Sequence, residues 1–344
     1  MSIRMNLKLA LLPAVIMTGL LSSPLHAETL KMSSWVPPTH FVYTQILEPW
    51  TKDVEKVTEG RIKVEILPKA LGTPPQHWEL ARKGVADITW GNFTYEPDRF
   101  KSIWFAEMPF AGSDAKAQSI ALWNSYNKHL KADPAYGGIK LLSVGMFGPG
   151  IFNHGSKALA TLDDLKGQKI RMGGPIQQVL LEGLGAVPVS APATKAYEML
   201  ESKVLDGSLH TPESVVNFRL TEKLPHHTMI ENGLYGATFF LTMNEGKWNK
   251  LSDADKAAIE KISGEAFASK WGEAFNQQNS DAEKKLKEAG HTFTTASPEL
   301  LTKIGEIRSK MLTDWEPTAK TAGIADPKAL LADFEADYKA LAGK

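Results

Sequence analysis

Short strand-like segments alternate with helical segments along most of this chain, and the series begins twice. The first series has a strand at 29–35, an amphipathic helix at 40–60 and an alternating strand at 61–67. The second runs from a strand at 139–145 to another at 204–210. Strands that alternate with helices predict a largely parallel sheet with helices on its faces. Two series in 344 residues predict two α/β lobes.

The last third of the sequence is helical in pattern. A capping-box-like start at Ser252 opens a helical stretch that continues to Gly290, well beyond the mean helix of about 11–12 residues. Gly264 and Gly272 are the positions where this helix could bend. Further helical segments follow to the end of the sequence.

The N-terminus has the pattern of a secretory signal peptide. Arg4 and Lys8 precede an apolar run at 9–21, and a small residue follows at Ala27. The run is shorter than the roughly 20 residues of a membrane-spanning helix, and a buried N-terminal helix is the alternative. Residues 1–27 are therefore expected to be cleaved after Ala27, which leaves a soluble periplasmic protein. The absence of cysteine excludes disulfide bonds.

Composition and motifs give little support for catalysis. Thirty-nine basic and 39 acidic residues balance, so nothing indicates nucleic acid or a membrane surface as a partner. The sequence contains no HExxH, GxSxG or phosphate-loop motif, and we expect no metal and no cofactor. The adjacent His226 and His227 are interpreted as a solvated turn after Pro225. A hydrolase with scattered Ser, His and Asp residues stays an alternative, because triads are recognised by geometry.

The segment DLKGQKIRMGGPIQ, residues 164–177, contains the strongest candidate for ligand binding. Arg171 ends a short strand, and Gly173, Gly174 and Pro175 then break the chain before a helix. This is a position where α/β proteins often hold ligands. The planar guanidinium matches a carboxylate with two parallel hydrogen bonds, which lysine cannot reproduce. A surface ion pair is the alternative for Arg171.

Five segments together resemble the solute-binding proteins of tripartite ATP-independent periplasmic (TRAP) transporters, and the resemblance covers essentially the whole mature chain. They are 65–88, 107–110, 162–171, 184–207 and 243–262. The resemblance implies an α/β fold whose two lobes enclose a ligand cleft, with a long helix spanning both. It also implies a non-enzymatic, monomeric protein that closes on an organic acid and delivers it to a membrane permease. A binding protein of an ATP-driven system is the rival interpretation.

The expected lobe boundaries follow from this resemblance. Residues 28–149 plus 237–276 form lobe I, and residues 150–236 plus 277–344 form lobe II.

The resemblance also assigns roles to particular residues. Arg171 is the implied carboxylate clamp, and Gly173 lets backbone approach the ligand. The family's polar contact just after the strand that contains Asp206 and Gly207 falls on His210, near Thr211 and Glu213, although His210 could instead cap a strand. A second arginine found in many members is replaced by Ile151. Another branch of the family has a Glu-Trp pair at this place and binds 2-oxo acids or lactate together with a metal. This chain has SLHTP at 208–212 instead, and we expect no metal.

Aromatic residues at strand ends are candidates for the rest of the pocket, with core packing as the alternative for each. They are Trp35, Phe41, Trp90, Phe93, Tyr95 and Phe239. His40, beside a Pro-rich turn, and Asn92 complete the candidate set. One clear arginine among aromatic rings favours a monocarboxylate with an apolar or aromatic body over a sugar acid or a C4-dicarboxylate.

Overall fold

The computed structural model of this chain describes residues 27–343, so the predicted signal segment lies outside the described residues except for Ala27. Two β-sheets with many helices form the framework, which confirms the two-lobed α/β fold. The strands are β1 (Glu28–Ser33), β2 (Ile62–Ile66), β3 (Ile88–Asn92), β4 (Ile139–Met146), β5 (Ile151–His154), β6 (Lys169–Met172), β7 (Val187–Ser190), β8 (Gly207–His210), β9 (His226–Met229), β10 (Thr238–Asn244) and β11 (Thr292–Thr295).

The helices vary from single turns to rods of 25 residues. They are α1 (Glu48–Val57), α2 (His77–Arg82), α3 (Ala115–Ser125), α4 (Leu162–Leu165), α5 (Pro175–Gly183), α6 (Ala196–Glu201), α7 (Pro212–Asn217), α8 (Glu245–Lys250), α9 (Asp253–Ile262), α10 (Gly264–Glu288), α11 (Pro298–Thr321) and α12 (Pro327–Leu341). Wider or tighter helical turns add Val42–Leu47, Pro74–Gln76, Phe93–Tyr95, Lys101–Glu107, Tyr126–Leu130, Pro134–Tyr136 and Ala193–Lys195.

Each sheet is mostly parallel and contains one strand that runs against its neighbours. The first sheet has the order β2-β1-β3-β10-β4, and β10 is antiparallel to both β3 and β4. The second has the order β11-β9-β5-β8-β6-β7, and β5 is antiparallel to both β8 and β9. The reversed strands β5 and β10 each follow a short passage of the chain from one sheet to the other. The expectation of largely parallel sheets is confirmed, with one reversed strand in each sheet.

Besides the long connection from β10 to β11 through α10, two short crossover segments join the sheets, one after β4 and one between β9 and β10. They lie side by side, because Gly150 and Tyr235 form an isolated antiparallel bridge. A Cβ atom on Gly150 would lie 2.1 Å from the Tyr235 ring, so only glycine permits this close approach. The two crossovers thus form one narrow connection beneath the space between the sheets.

The predicted single helix from Ser252 to Gly290 is wrong, since α9 and α10 are separate helices. Gly264 begins α10 with a φ of +54°, a conformation that glycine adopts without penalty. Ser143 donates a hydrogen bond of 2.7 Å to the Gly264 carbonyl and fixes the break. The α10 helix then spans both lobes, since it packs on α3 and β4 and also on α7.

The C-terminal helices return to the first sheet. Ile307 of α11 contacts Gly183 of α5, whereas Trp315 of α11 packs against Phe105. Helix α12 packs mainly on α3, which covers the first sheet. The expected division placed all of 277–344 in lobe II, but the buried apolar face of α12 faces lobe I. No helix within residues 27–343 combines the length and the apolarity needed to cross a membrane.

A ligand cavity between the two lobes

A cavity lies between the two sheets, where the ends of β1 and β3 face the ends of β6 and β8. It contains about 60 Å³ in which the centre of a water molecule can sit. One water requires only about 10–15 Å³ on this measure, so the cavity suits a compact solute. Aromatic rings make up much of its wall, with a few polar groups among them.

The structure brings eleven of the thirteen sequence-predicted candidate residues to this cavity. They are Arg171, His210, Trp35, His40, Trp90, Asn92, Tyr95, Gly173, Thr211, Glu213 and Phe239. Phe41 instead packs behind His40, with its ring 5.0 Å from the imidazole and 4.9 Å from Phe275. Phe93 also lies in the core, 4.7 Å from Phe100, because neighbouring residues at a strand end point to opposite faces.

Several residues that the sequence did not single out also line the cavity. They are Val42, Thr94, Phe147, Gln177, Ala193, Ser214, Phe218, Tyr235, Ala237 and Phe275. Tyr235 comes from a crossover segment and Phe275 from the middle of α10, where a local pattern gives no signal. Proximity to Arg171 in sequence could have suggested Gln177, which follows it by six residues.

Arg171 is buried, with 4% of its surface exposed, so the alternative of a surface ion pair is wrong. Its Nε donates 2.8 Å to the Ala191 carbonyl, and Nη1 donates 3.1 Å to the Leu209 carbonyl. Among residues 27–343 no carboxylate pairs with Arg171, and Nη2 has no hydrogen-bond partner. Gly173 leaves space beside Nη2, since a Cβ atom there would lie 3.3 Å away. A buried guanidinium without a counter-charge is costly unless a ligand supplies one.

His210 is buried beside Arg171 as the last residue of β8. Its Nε2 atom has no hydrogen-bond partner in the described part of the chain. Burial, together with the positive charge of Arg171, holds the pKa of His210 well below its usual value, so the ring is neutral. It can therefore offer either a donor or an acceptor to a solute.

Glu213 is also buried, and burial raises the pKa of its carboxyl. The hydroxyls of Thr211 and Ser214 donate to its Oε1 at 2.8 and 2.6 Å. Asn217 donates to its Oε2 at 3.2 Å. Protein groups thus already satisfy this carboxyl.

The opposite wall is aromatic. The Trp35 ring stacks on Trp90 with centroids 4.6 Å apart, and the Trp90 indole N–H donates 3.0 Å to the Ser34 hydroxyl. Phe239 adds a third ring, 6.3 Å from Trp90. His40 lies beside them, and burial lowers its pKa to about 4.

The two lobes touch at one edge of the cavity. The Ala193 amide donates 3.0 Å to the Tyr95 hydroxyl, which joins lobe II to lobe I. At the same edge Gly174 packs so closely on Thr94 that a Cβ atom would lie 2.1 Å from the Thr94 methyl group. The structure is therefore a closed arrangement of the lobes.

Two further sequence expectations concern positions outside the cavity. Ile151, at the place of the family's second arginine, is fully buried on β5, opposite His210. His226 and His227 lie on β9, so the prediction of a solvated turn is wrong. His227 is fully buried and bonded to Asn153 at 2.7 Å and to His291 at 2.9 Å. Within residues 27–343 no group of three or more potential ligand side chains is arranged to hold a metal.

Comparisons with known proteins agree with this geometry. Residues 32–318 match the DctP family, described as bacterial extracellular solute-binding protein, family 7. A TRAP periplasmic solute-binding protein from Bordetella bronchiseptica, solved with (R)- and (S)-mandelate, is 35% identical with a TM-score of 0.87, over 91% of this chain and 99% of that one.

Other relatives extend the comparison. A marine metagenome TRAP protein specific for aromatic acids, solved with metahydroxyphenylacetate, is 31% identical with a TM-score of 0.84, over 91% of this chain and 98% of that one. The Comamonas testosteroni protein named outer membrane transporter protein TsaT is 29% identical over 95% of this chain and 97% of its own length. The chain belongs to the family 7 extracellular solute-binding proteins, the binding proteins of TRAP transporters.

Proposed function

We propose that the cavity binds a monocarboxylate with an aromatic or apolar body and that Arg171 is its carboxylate clamp. The observation that carries the proposal is the buried guanidinium of Arg171, whose Nη2 faces a cavity lined by aromatic rings. The carboxylate would supply the missing counter-charge, and the stacked Trp35 and Trp90 would pack against the body of the solute. Mandelate and metahydroxyphenylacetate in the similar structures support this class.

Closure follows from the positions of these groups. Arg171 and His210 contact the solute from lobe II, whereas Trp35 and Trp90 contact it from lobe I. A solute that touches both lobes binds the closed form better than the open form and shifts the equilibrium toward it. The closed form is the one that we propose the TRAP permease recognises. No feature of the cavity favours an ATP-driven system or hydrolysis.

The experiment is calorimetry on ligand-free protein with benzoate, phenylacetate and mandelate, set against a sugar acid and a C4-dicarboxylate. Arg171→Ala should weaken binding of the preferred acid by roughly 2–5 kcal/mol, as expected when one partner of a buried charge pair is truncated. Arg308→Ala is the matched control, because Arg308 pairs with Glu335 on the C-terminal helices. An unchanged affinity in Arg171→Ala would remove Arg171 from this role.

The same samples test the remaining parts of the proposal. The acid should be recovered chemically unaltered after prolonged incubation, since the protein is proposed to bind without catalysis. Protein isolated from the periplasm should have a mass that corresponds to cleavage after Ala27, and light scattering should give a monomer. Recovery of a modified acid would instead support the hydrolase alternative.

A further inference from the structure

Two cavity-lining side chains of lobe I carry hydrogen-bond donors without partners. The Val42 amide donates 3.2 Å to Nδ1 of His40, so the neutral ring carries its proton on Nε2. That Nε2 and the indole Nε1 of Trp35 are both buried and have no partner among residues 27–343. Both side chains line the cavity. Buried donors are nearly always satisfied, so these two point to an acceptor on the solute.

Side-chain amides in the wall have already used their acceptor atoms. The Thr94 amide donates 2.8 Å to Oδ1 of Asn92, and the Gly173 amide donates 2.6 Å to Oε1 of Gln177. Since a backbone N–H can only donate, these bonds fix which end of each amide is the oxygen. The NH₂ ends of Asn92 and Gln177 are therefore what remains for a solute.

Acceptors are correspondingly scarce. The Tyr95 hydroxyl oxygen accepts from Ala193, and the carboxyl of Glu213 accepts from two hydroxyls and an amide. Free acceptors can come from the ring of His210 and from the hydroxyl of Tyr235, but both groups interact with Arg171, where the solute carboxylate is proposed to bind. The lobe I wall thus offers donors to the far end of the solute.

Charge decides what kind of acceptor fits there. Among the described residues that line the cavity, Arg171 is the cation, whereas Trp35 and His40 are neutral. A second carboxylate at the lobe I wall would be buried without a counter-charge, which is costly. A neutral oxygen would satisfy both donors without bringing a charge.

We propose that the solute is an aromatic monocarboxylate that carries a neutral hydrogen-bond acceptor on the side opposite its carboxylate, such as a carbonyl, ether or nitro oxygen. Trp35 and His40 donate to this acceptor, and they select it over an amino group or a second carboxylate. The inference rests on the proposed function, since it takes the carboxylate at Arg171 as the fixed end of the solute.

The test compares ring substituents of similar size on one acid. Ligand-free protein is titrated with 4-formylbenzoate, 4-methylbenzoate, 4-aminobenzoate and terephthalate, together with the corresponding 3-substituted acids. The formyl acid should bind most tightly. The amino analogue 4-aminobenzoate, whose amino group is uncharged, should bind about 5- to 100-fold more weakly than 4-formylbenzoate, because the N–H donors of that group find no acceptor. The dicarboxylate should bind most weakly.

Three variants assign the selectivity to the two donors. Trp35→Phe removes the indole N–H and keeps a ring over Trp90, and His40→Asn keeps an acceptor near the Val42 amide. Each should shrink the preference for formyl over methyl, which is the ratio of two affinities measured in the same variant. Trp50→Phe is the control, since the Trp50 Nε1 is also buried without a partner but lies outside the cavity. It should leave the preference unchanged.

The outcomes separate the two proposals. Equal binding of the amino and formyl acids, or a formyl preference that survives both Trp35→Phe and His40→Asn, overturns the inference. If the acids still bind in an Arg171-dependent way in that case, the proposed function stands. If none of these acids binds, the proposed function fails and the inference fails with it.

Discussion

The two walls of the cavity differ in what holds their key side chains in place. On the lobe II wall, Arg171 is fixed by two backbone carbonyls and is left with an unpaired edge. On the lobe I wall, Trp90 is fixed by ring packing against Trp35 and Trp271, with centroids 4.6 and 5.8 Å away. Loss of the Arg171 side chain should therefore weaken mainly ligand binding, whereas loss of a ring from the aromatic wall should also destabilise the core, with which that wall is continuous. Affinity thus depends mainly on the lobe II wall, and stability depends mainly on the lobe I wall.

Trp90→Ala is the strongest test of this difference. Trp90 is 1% exposed, and truncation of a fully buried tryptophan costs about 3–5 kcal/mol of stability. Denaturant unfolding of ligand-free protein should show this loss, with a smaller loss for Trp90→Phe. Arg171→Ala should be destabilised much less. If both alanine variants lost equal stability, the two walls would not differ in the way described.

The pH dependence of stability tests the lobe I wall through His40. Burial lowers the pKa of His40 from 6.5 to about 4, so the unfolded chain binds the proton more readily between these values. The contribution of neutral His40 is therefore fully present above about pH 6.5 and is lost as the pH falls toward 4. Relative to His40→Asn, the wild type should lose roughly 3 kcal/mol over this interval.

Unfolding curves of wild type and His40→Asn at matched pH values isolate the contribution of His40 to the free energy of unfolding, since the other titrating groups are common to both proteins. Burial raises the pKa of Glu107 to about 7, which acts in the opposite direction in both proteins. Parallel pH profiles for wild type and His40→Asn would contradict the prediction.

The edge where the walls meet gives the smallest expected effect. Gly174→Ala adds a methyl group 2.1 Å from the Thr94 methyl, and overpacking of this kind costs about 1–3 kcal/mol. Because Thr94 and Gly174 belong to different lobes, the cost should fall on the closed form. Calorimetry should show weaker binding of the acid with little change in the stability of ligand-free protein.

Thr94→Ser provides the matched test of that contact. Serine removes the methyl group and keeps the hydroxyl that donates 2.6 Å to Glu107. Combined with Gly174→Ala it should restore part of the lost affinity. If the double variant does not recover affinity, the effect of Gly174→Ala does not arise from this contact.

The sequence predicted much of the site because the binding groups follow strand ends. His210 and Asn92 each end a strand, Arg171 is the last residue but one of its strand, and the ends of neighbouring strands meet at one edge of a sheet. Phe93 and Phe41 show the limit of that rule, because a strand end does not tell which face a ring points to. Tyr235 and Phe275 reach the cavity from a crossover and from a helix, so their places depend on how the lobes pack.

The alternation of strands and helices, the family and the position of the arginine can be predicted from the sequence, because these features depend on residues close together along the chain. Which polar atoms are left without partners follows only from the folded arrangement of the chain. Arg171 takes its partners from residues 20 and 38 positions away, and Tyr95 accepts from a residue 98 positions away. Whether a buried group is satisfied depends on such distant contacts, and the unsatisfied groups are what a solute can meet.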